Sequence, residues 1–486
     1  MTQAKTLGEL KKNGYQPLTI KEELRKNLIS SLKEGTNPFN GIVGYEHTVI
    51  PDIQRALLSK HNILLLGLRG QAKTKIARLM VGLLDEYIPV VAGSEINDDP
   101  LKPLSRYAKD LIAEKGDDTP VEWIHRNRRY VEKLATPDVT VADLIGDVDP
   151  IKAANLRLPY GDERVLHFGL VPRSHRSIFV INELPDLQPR IQVALFNILQ
   201  EGDIQIRGFK VRLPLDLQFV FTANPEDYTN RGSIITPLKD RIESQILTHY
   251  PGTIEIAKQI TSQEADIEPE VRKNVHIPDL MLNLLERISF AARDSELIDE
   301  RSGVSARMSI TALENLYSTA ERRMLINREI QTTARITDFW GVIPAITGKV
   351  ELVYEGEQEG PYQVALNLLS TAVKEEFLTH FPHPNKEERK HEGDAYYAIR
   401  QFFADGHELN LPNDASDAAF TEALLEIPGL KALVKSFSDE DKQAYMELVI
   451  HGLAEFNVVN KELVGTTLSF HDFLSNMLGD LDEDED

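Results

Sequence analysis

From about residue 40 to 250, short apolar runs alternate with longer stretches of helical period. The runs 62–66, 88–92, 178–181 and 217–222 read as strands, and their apolar residues fall on both faces. Such runs separated by helices predict a parallel sheet covered on both sides. Ahead of them, residues 19–33 predict a helix: Thr19 and Glu22 form a capping-box pair, Leu24, Leu28 and Leu32 share one face, and Gly35 stops it. Between the second and third strands lies a charged insertion, 95–176, in which only 139–149 and 166–170 look ordered. Beyond residue 251 the texture turns helical, with apolar stripes over 281–293, 309–322 and 362–377. Val350, Leu352 and Tyr354 alternate like an edge strand. Residues 382–391, proline-bearing and then densely charged, read as a linker to a small helical C-terminal module. Its acidic end, 480–486, reads as a solvated tail.

The first strand runs into Gly67-Leu68-Arg69-Gly70-Gln71-Ala72-Lys73-Thr74. A glycine-rich turn of this kind points backbone N–H groups inward to cradle phosphate oxygens. The lysine then reaches the outer phosphates, and the following hydroxyl can hold Mg²⁺. Ala72 stands where the pattern has its last glycine, and a methyl there is tolerated if that residue keeps a negative φ. The third strand ends in Asn182-Glu183, a polar pair at the end where open α/β sheets bind ligands. Glu183 is placed to orient and polarise water, and Asn182 stands where an aspartate would support Mg²⁺. After the next helix, Ile204 and Ile206 face Val211 and Leu213 across a turn, which predicts a β-hairpin over 203–213. The fourth strand ends in Asn224, a neutral group suited to bonding a γ-phosphate or water. Arg241, at the end of a short helix from 236, is a candidate cation for charge developing in a transition state.

Composition narrows the function. A chain of 486 residues has room for two to four domains, and its formal charge of −22 argues against nucleic acid as a main partner. The aromatic and basic residues interleaved from Trp123 to Tyr130 therefore read as a salt-bridged helix face. The absence of cysteine removes disulfides, thiolate metal sites and cysteine nucleophiles, and fits a cytoplasmic protein. No apolar run reaches the length of a membrane span. The histidines show no metal-ligand spacing, and Asp98-Asp99, before a proline, reads as a turn.

The phosphate loop, the Val180-Ile181-Asn182-Glu183 strand, the hairpin, Thr222-Ala223-Asn224-Pro225 and Leu238-Lys239-Asp240-Arg241 follow one another in a known order. The chain resembles AAA+ ATPases of the helix-2-insert branch, similar to the magnesium chelatase I subunit and its MoxR relatives. The segments 142–149 and 167–176 resemble two further stretches of that family, and the likeness spans about residues 36–335.

The resemblance implies an AAA+ P-loop α/β core with a parallel sheet in three layers, a helical lid and a small, mainly helical C-terminal module. The expected division is an N-terminal helical segment 1–36, the ATPase core 37–251, the lid 252–335, a strand–helix extension 336–384 and the module 385–486. It implies ATP and Mg²⁺ as cofactors. Ile42, Val43 and Gly44 would line the adenine pocket. Gly67, Leu68, Arg69, Gly70, Gln71, Ala72, Lys73, Thr74 and Lys75 would hold the phosphates, with Thr74, Asn182 and Glu183 at the metal. Glu183 would be the catalytic acidic residue and Asn224 the first sensor. Arg241 would be an arginine finger reaching a neighbouring subunit, and Arg307 the second sensor. The implied assembly is a homo-oligomer, a hexameric ring, acting as a motor or chaperone on a protein partner that carries a von Willebrand A domain. Two alternatives are a true chelatase motor for porphyrin metallation and a slow nucleotide-gated scaffold.

Overall fold

A computed structural model describes residues 4–159, 162–201, 213–225, 233–384 and 394–472. The chain forms two compact units, Met1–Tyr250 and Pro251–Asp486. The expected hairpin at 203–213 falls almost wholly outside the described residues, as do most of the expected linker and the whole acidic tail.

In the first unit the strands are β1 (Ile63–Leu66), β2 (Tyr87–Val91), β3 (Val121–His125), β4 (Tyr130–Leu134), β5 (Gly146–Val148), β6 (Leu166–Phe168), β7 (Ser177–Asn182), β8 (Leu217–Ala223) and β9 (Ser244–Leu247). Five of them make one sheet in the order β4-β7-β8-β1-β9, and every pairing in it is parallel. Alternation along each strand explains the layers on either side. Ile63, Leu65, Ile178, Val180 and Val220 face a core shared with the helices Ile20–Glu34, Val49–Leu58 and Lys73–Leu79. Leu64, Leu66, Phe179, Ile181, Phe219 and Phe221 face the opposite core, which the helix Pro189–Glu201 covers through Ile191, Leu195 and Ile198. The helix Ile20–Glu34 has its Thr19–Glu22 capping box and ends on Gly35 at φ 70°.

Two expectations about the sheet are corrected. The strand expected at 88–92 forms, but it pairs antiparallel with β3 outside the central sheet. The central sheet instead takes β4 from the insertion. The stretch from Trp123 to Tyr130 is accordingly not one continuous helix. It is β3, a tight turn over Arg126–Arg129, and the first residue of β4. Far from being mostly exposed, the insertion is anchored by buried charge. Arg129 is 1% exposed and grips Glu23 with two bonds of 2.7 and 2.6 Å, while its Nε donates to Arg176 O. Arg176 in turn pairs with Asp99 at 3.1 Å. Asp98, fully buried, accepts from the backbone N–H groups of Leu104 and Ser105 and so builds the turn read at that position.

The second unit is mainly helical, with the helices Ile254–Glu264, Asp279–Asp294, Arg307–Ile326, Pro361–His380 and Lys442–Glu455 around one core that runs from Ala265 to Phe470. Two short strands, β10 (Val275–His276) and β11 (Thr332–Thr333), pair in parallel. The strands β12 (Leu409–Pro412), β13 (Val459–Val464) and β14 (Thr467–Asp472) make an antiparallel sheet in the order β12-β14-β13. The edge strand expected at Val350, Leu352 and Tyr354 is absent: Leu352 makes only an isolated bridge to Ile298, and Tyr354 starts a helix. Three alternating residues bury too little to compete with a helix-compatible run of Glu and Gln behind them. Among the described residues no helix is long and apolar enough to cross a membrane.

The Glu447 carboxylate is fully buried and accepts from the N–H groups of Ile336 and Thr337 at 2.7 and 2.8 Å. Burial outweighs these bonds and pushes its pKa up to about 7 from 4.5. A carboxylate raised on folding stabilises the fold most below its unfolded pKa, and that contribution is lost as pH climbs through the folded value. We therefore expect the second unit to lose stability between pH 4.5 and 7 relative to a Glu447→Gln variant, as read from denaturant melts at each pH. In the first unit, Glu23→Gln leaves the Arg129 guanidinium buried with its partner's charge removed and should cost about 3–5 kcal/mol in the same measurement.

Candidate active site

Parallel strands in register bring their carboxyl ends to one edge. Leu66 of β1 lies opposite Ala223 of β8, so Gly67 and Asn224 emerge side by side, and Gly67 N donates to Ala223 O at 3.2 Å. Ile181 of β7 lies opposite Phe221, so Asn182 comes beside Thr222 and Glu183 follows at the edge. The three strand ends thus deliver the loop, Asn224 and Asn182-Glu183 to one place.

Side chains close the arrangement. Lys73 begins the helix after the loop and is 8% exposed. Its ammonium donates to Gly67 O, to Leu68 O at 2.9 Å and to Asn224 Oδ1 at 2.8 Å. Asn224 Nδ2 then donates to Glu183 Oε2 at 3.0 Å. Lys73, Asn224 and Glu183 therefore form one hydrogen-bonded chain from loop to acid. Glu183 N donates to Thr222 Oγ1, and that hydroxyl donates to Asn182 Oδ1 at 3.1 Å. Glu183 sits at φ 55°, a left-handed backbone held by this network.

The loop is braced from beneath. Thr248 Oγ1 donates to Gln71 Oε1 at 2.6 Å, and a Cβ on Gly67 would meet these two atoms at 2.0 and 2.2 Å. Only glycine fits there. Tyr45 OH donates to His249 O at 2.6 Å, with Gln71 O at 3.2 Å from the same oxygen, and burial raises its pKa to about 12, so it remains a donor at neutral pH. Lys75 Nζ donates to Gly41 O at 3.0 Å, which fastens the loop's helix to the Ile42-Val43-Gly44 segment. Ile42 is buried, Val43 and Gly44 are half-buried, and Arg69 is exposed at the loop tip. Thr74 occupies the second position of the helix.

The negative φ expected of Ala72 is not what the structure shows. Ala72 has φ 56° and ψ 14°, left-handed, two residues after Gly70 at φ 74°. The turn thus keeps the shape that a glycine would give it and holds the methyl under strain. Arg241 has other partners within the first unit, and Arg307 belongs to the second unit. Arg241 follows the short helix Thr236–Lys239, bonds Asp240 and Pro237 O, and lies 4.4 Å over the Phe196 ring. Arg307 opens the helix Arg307–Ile326 of the second unit with its side chain exposed.

The sequence reading missed Tyr45, Thr222, Thr248 and Glu132. Glu132, on β4, accepts from Asn182 Nδ2 at 2.5 Å. No local pattern marks these residues; the strand register and the loop's packing select them. As a donor set, the Thr74 hydroxyl, the Asn182 amide and the Glu183 carboxylate suit Mg²⁺, which takes a few protein oxygens and completes its shell from substrate phosphates and water.

No family model matches the chain. Three solved structures are similar in part. One is a chain from the complex between BchI and BchD of magnesium chelatase, at 19% identity over 66% of this chain and 98% of that one, TM-score 0.33. Another is NtrX from Brucella abortus, at 16% identity over 60% of this chain and 55% of that one, TM-score 0.33. The third is Hsp104 in its closed state, at 13% identity over 64% of this chain and 50% of that one, TM-score 0.38. The matched region spans about half the length of NtrX and of Hsp104. All three TM-scores fall below 0.5, so the class follows from this chain's own sheet order and loop. The fold is an α/β core, a five-stranded parallel sheet with a glycine-rich loop between β1 and the helix that Lys73 opens.

Ala72→Gly would relieve the left-handed strain at the loop. We expect a gain of about 1 kcal/mol in unfolding free energy of the first unit, read from urea melts. An unchanged or lower midpoint would show that the Ala72 backbone costs nothing where it sits.

Proposed function

We propose that the chain is a Mg-ATP-dependent ATPase that works as an oligomeric motor or chaperone on a protein partner. The observation behind this reading is the single bonded chain Lys73–Asn224–Glu183 at the carboxyl edge of a parallel sheet, directly behind a glycine-rich loop. The Lys73 ammonium rests on two carbonyls and an amide, all neutral acceptors. Phosphate oxygens are stronger acceptors for a cation and would draw it outward. Loop N–H groups would hold the inner phosphates, and Ile42, Val43 and Gly44 the base.

Thr74, Asn182 and Glu183 are the residues that would hold Mg²⁺. When bound, the ion would neutralise negative charge on the phosphates. Glu183 orients the attacking water, and Asn224, bonded to both Lys73 and Glu183, reports whether the lysine has moved. Arg241 would reach the ATP of a neighbouring subunit in a ring, with Arg307 of the lid, 252–335, as the second sensor. A partner with a von Willebrand A domain belongs to the same reading and rests on sequence resemblance alone.

A slow, nucleotide-gated scaffold is the second reading. It is favoured by the strained Ala72 and by a neutral amide at Asn182.

Steady-state phosphate release decides between them. In the motor reading Lys73→Ala abolishes nucleotide binding and turnover, whereas Glu183→Gln keeps binding and lowers turnover by about 100-fold or more. Turnover of the wild-type chain no faster than that of Lys73→Ala, with nucleotide still bound, would leave the scaffold.

A further inference from the structure

Asn182 is neutral where a magnesium–nucleotide site wants negative charge, and the structure places a carboxylate directly behind it. On the edge of the sheet, β4 runs parallel to β7 with Leu134 opposite Asn182 and Glu132 opposite Val180. Glu132 and Leu134 share one face of their strand, so Glu132 reaches Asn182 along the diagonal. Its Oε1 accepts from Asn182 Nδ2 at 2.5 Å. Its Oε2 accepts from Tyr130 OH at 3.0 Å and from Arg78 Nη2 at 3.0 Å. Arg78 stands one helical turn beyond Thr74, on the same face of the phosphate-loop helix. The guanidinium that balances Glu132 is 64% exposed, while Glu132 itself is 23% exposed. Solvent therefore screens the cation more than the anion.

The amide between Glu132 and the loop is fully oriented. Its nitrogen faces Glu132, and its oxygen accepts from the Thr222 hydroxyl, keeping a second lone pair. A carboxylate bonded to an amide N–H polarises that amide and makes its oxygen a better acceptor.

We propose that Glu132 supplies, from the neighbouring strand, the negative charge that Asn182 lacks, so that the two together act as one acidic position favouring the magnesium-bound nucleotide. This rests on the nucleotide-site reading above. Glu132 is a positioning residue, acting through the Asn182 amide as an outer partner acts on a metal ligand. The same geometry has a consequence for design: an aspartate at 182 would put a second carboxylate across the distance now spanned by a hydrogen bond, and the two like charges would repel.

The test is equilibrium binding of a fluorescent ATP analogue to the full chain, titrated with Mg²⁺ and repeated in EDTA, alongside thermal melts. We expect Glu132→Gln to weaken binding about tenfold in Mg²⁺ while leaving affinity in EDTA unchanged. Asn182→Asp should melt lower than wild type without Mg²⁺. The double variant Asn182→Asp with Glu132→Gln, which moves the charge one strand across, should recover most of the Mg²⁺-dependent affinity. Three results would overturn the proposal: Glu132→Gln binding like wild type at every Mg²⁺ concentration, an equal loss in Mg²⁺ and in EDTA, which marks a mere brace, or a double variant no better than Glu132→Gln. Wild-type affinity no higher than that of Lys73→Ala would instead refute the nucleotide site itself, and this inference with it.

Discussion

The parallel hydrogen-bond register of β7, β8 and β1 is the constraint on which the candidate site depends. Each strand enters the edge at a height set by its neighbour, so Gly67, Asn224 and Glu183 meet without any of them being near another in sequence. A slip of one residue in any of these strands would turn its side chains to the opposite face. The two apolar cores forbid that slip, because alternate residues of β1, β7 and β8 are committed to different helical layers. Packing energy thereby becomes positional accuracy at the polar edge.

Buried charge does a different task in the same unit. The Arg129–Glu23 pair joins the helix Ile20–Glu34 to the turn between β3 and β4, and Arg176 with Asp99 secures the approach to β7. Such pairs are costly to desolvate and tolerate few geometries. They lock the insertion so that β4 lies at the edge of the sheet, where Glu132 meets Asn182. Charges that look like a solvated run in the sequence are in this way part of the site's scaffold.

Strain and neutrality mark the places where the loop departs from its pattern. Ala72 holds a left-handed backbone with a methyl on it, and Glu183 is left-handed as well. Ala72 precedes Lys73 and Glu183 ends the Lys73–Asn224–Glu183 chain, whose bonds, with those of Thr222 and Thr248, hold the strained segments in place. Backbone strain of about 1–3 kcal/mol persists only where surrounding contacts over-determine it.

The sequence alone determined what local chemistry can determine. Glycine spacing followed by Lys73-Thr74, polar residues closing apolar strands, the Thr19–Glu22 cap and the long amphipathic helices of the second unit are all written in neighbouring residues. Tertiary structure decided the rest. It moved the strand at 88–92 out of the central sheet and brought β4 in, because pairing is a contest among distant segments that no window of residues contains. It set Ala72 at a positive φ, since the loop's path is dictated by Thr248, Gln71 and Tyr45 packed against it. It put Glu132 against Asn182, a contact that exists only through register between two strands some fifty residues apart.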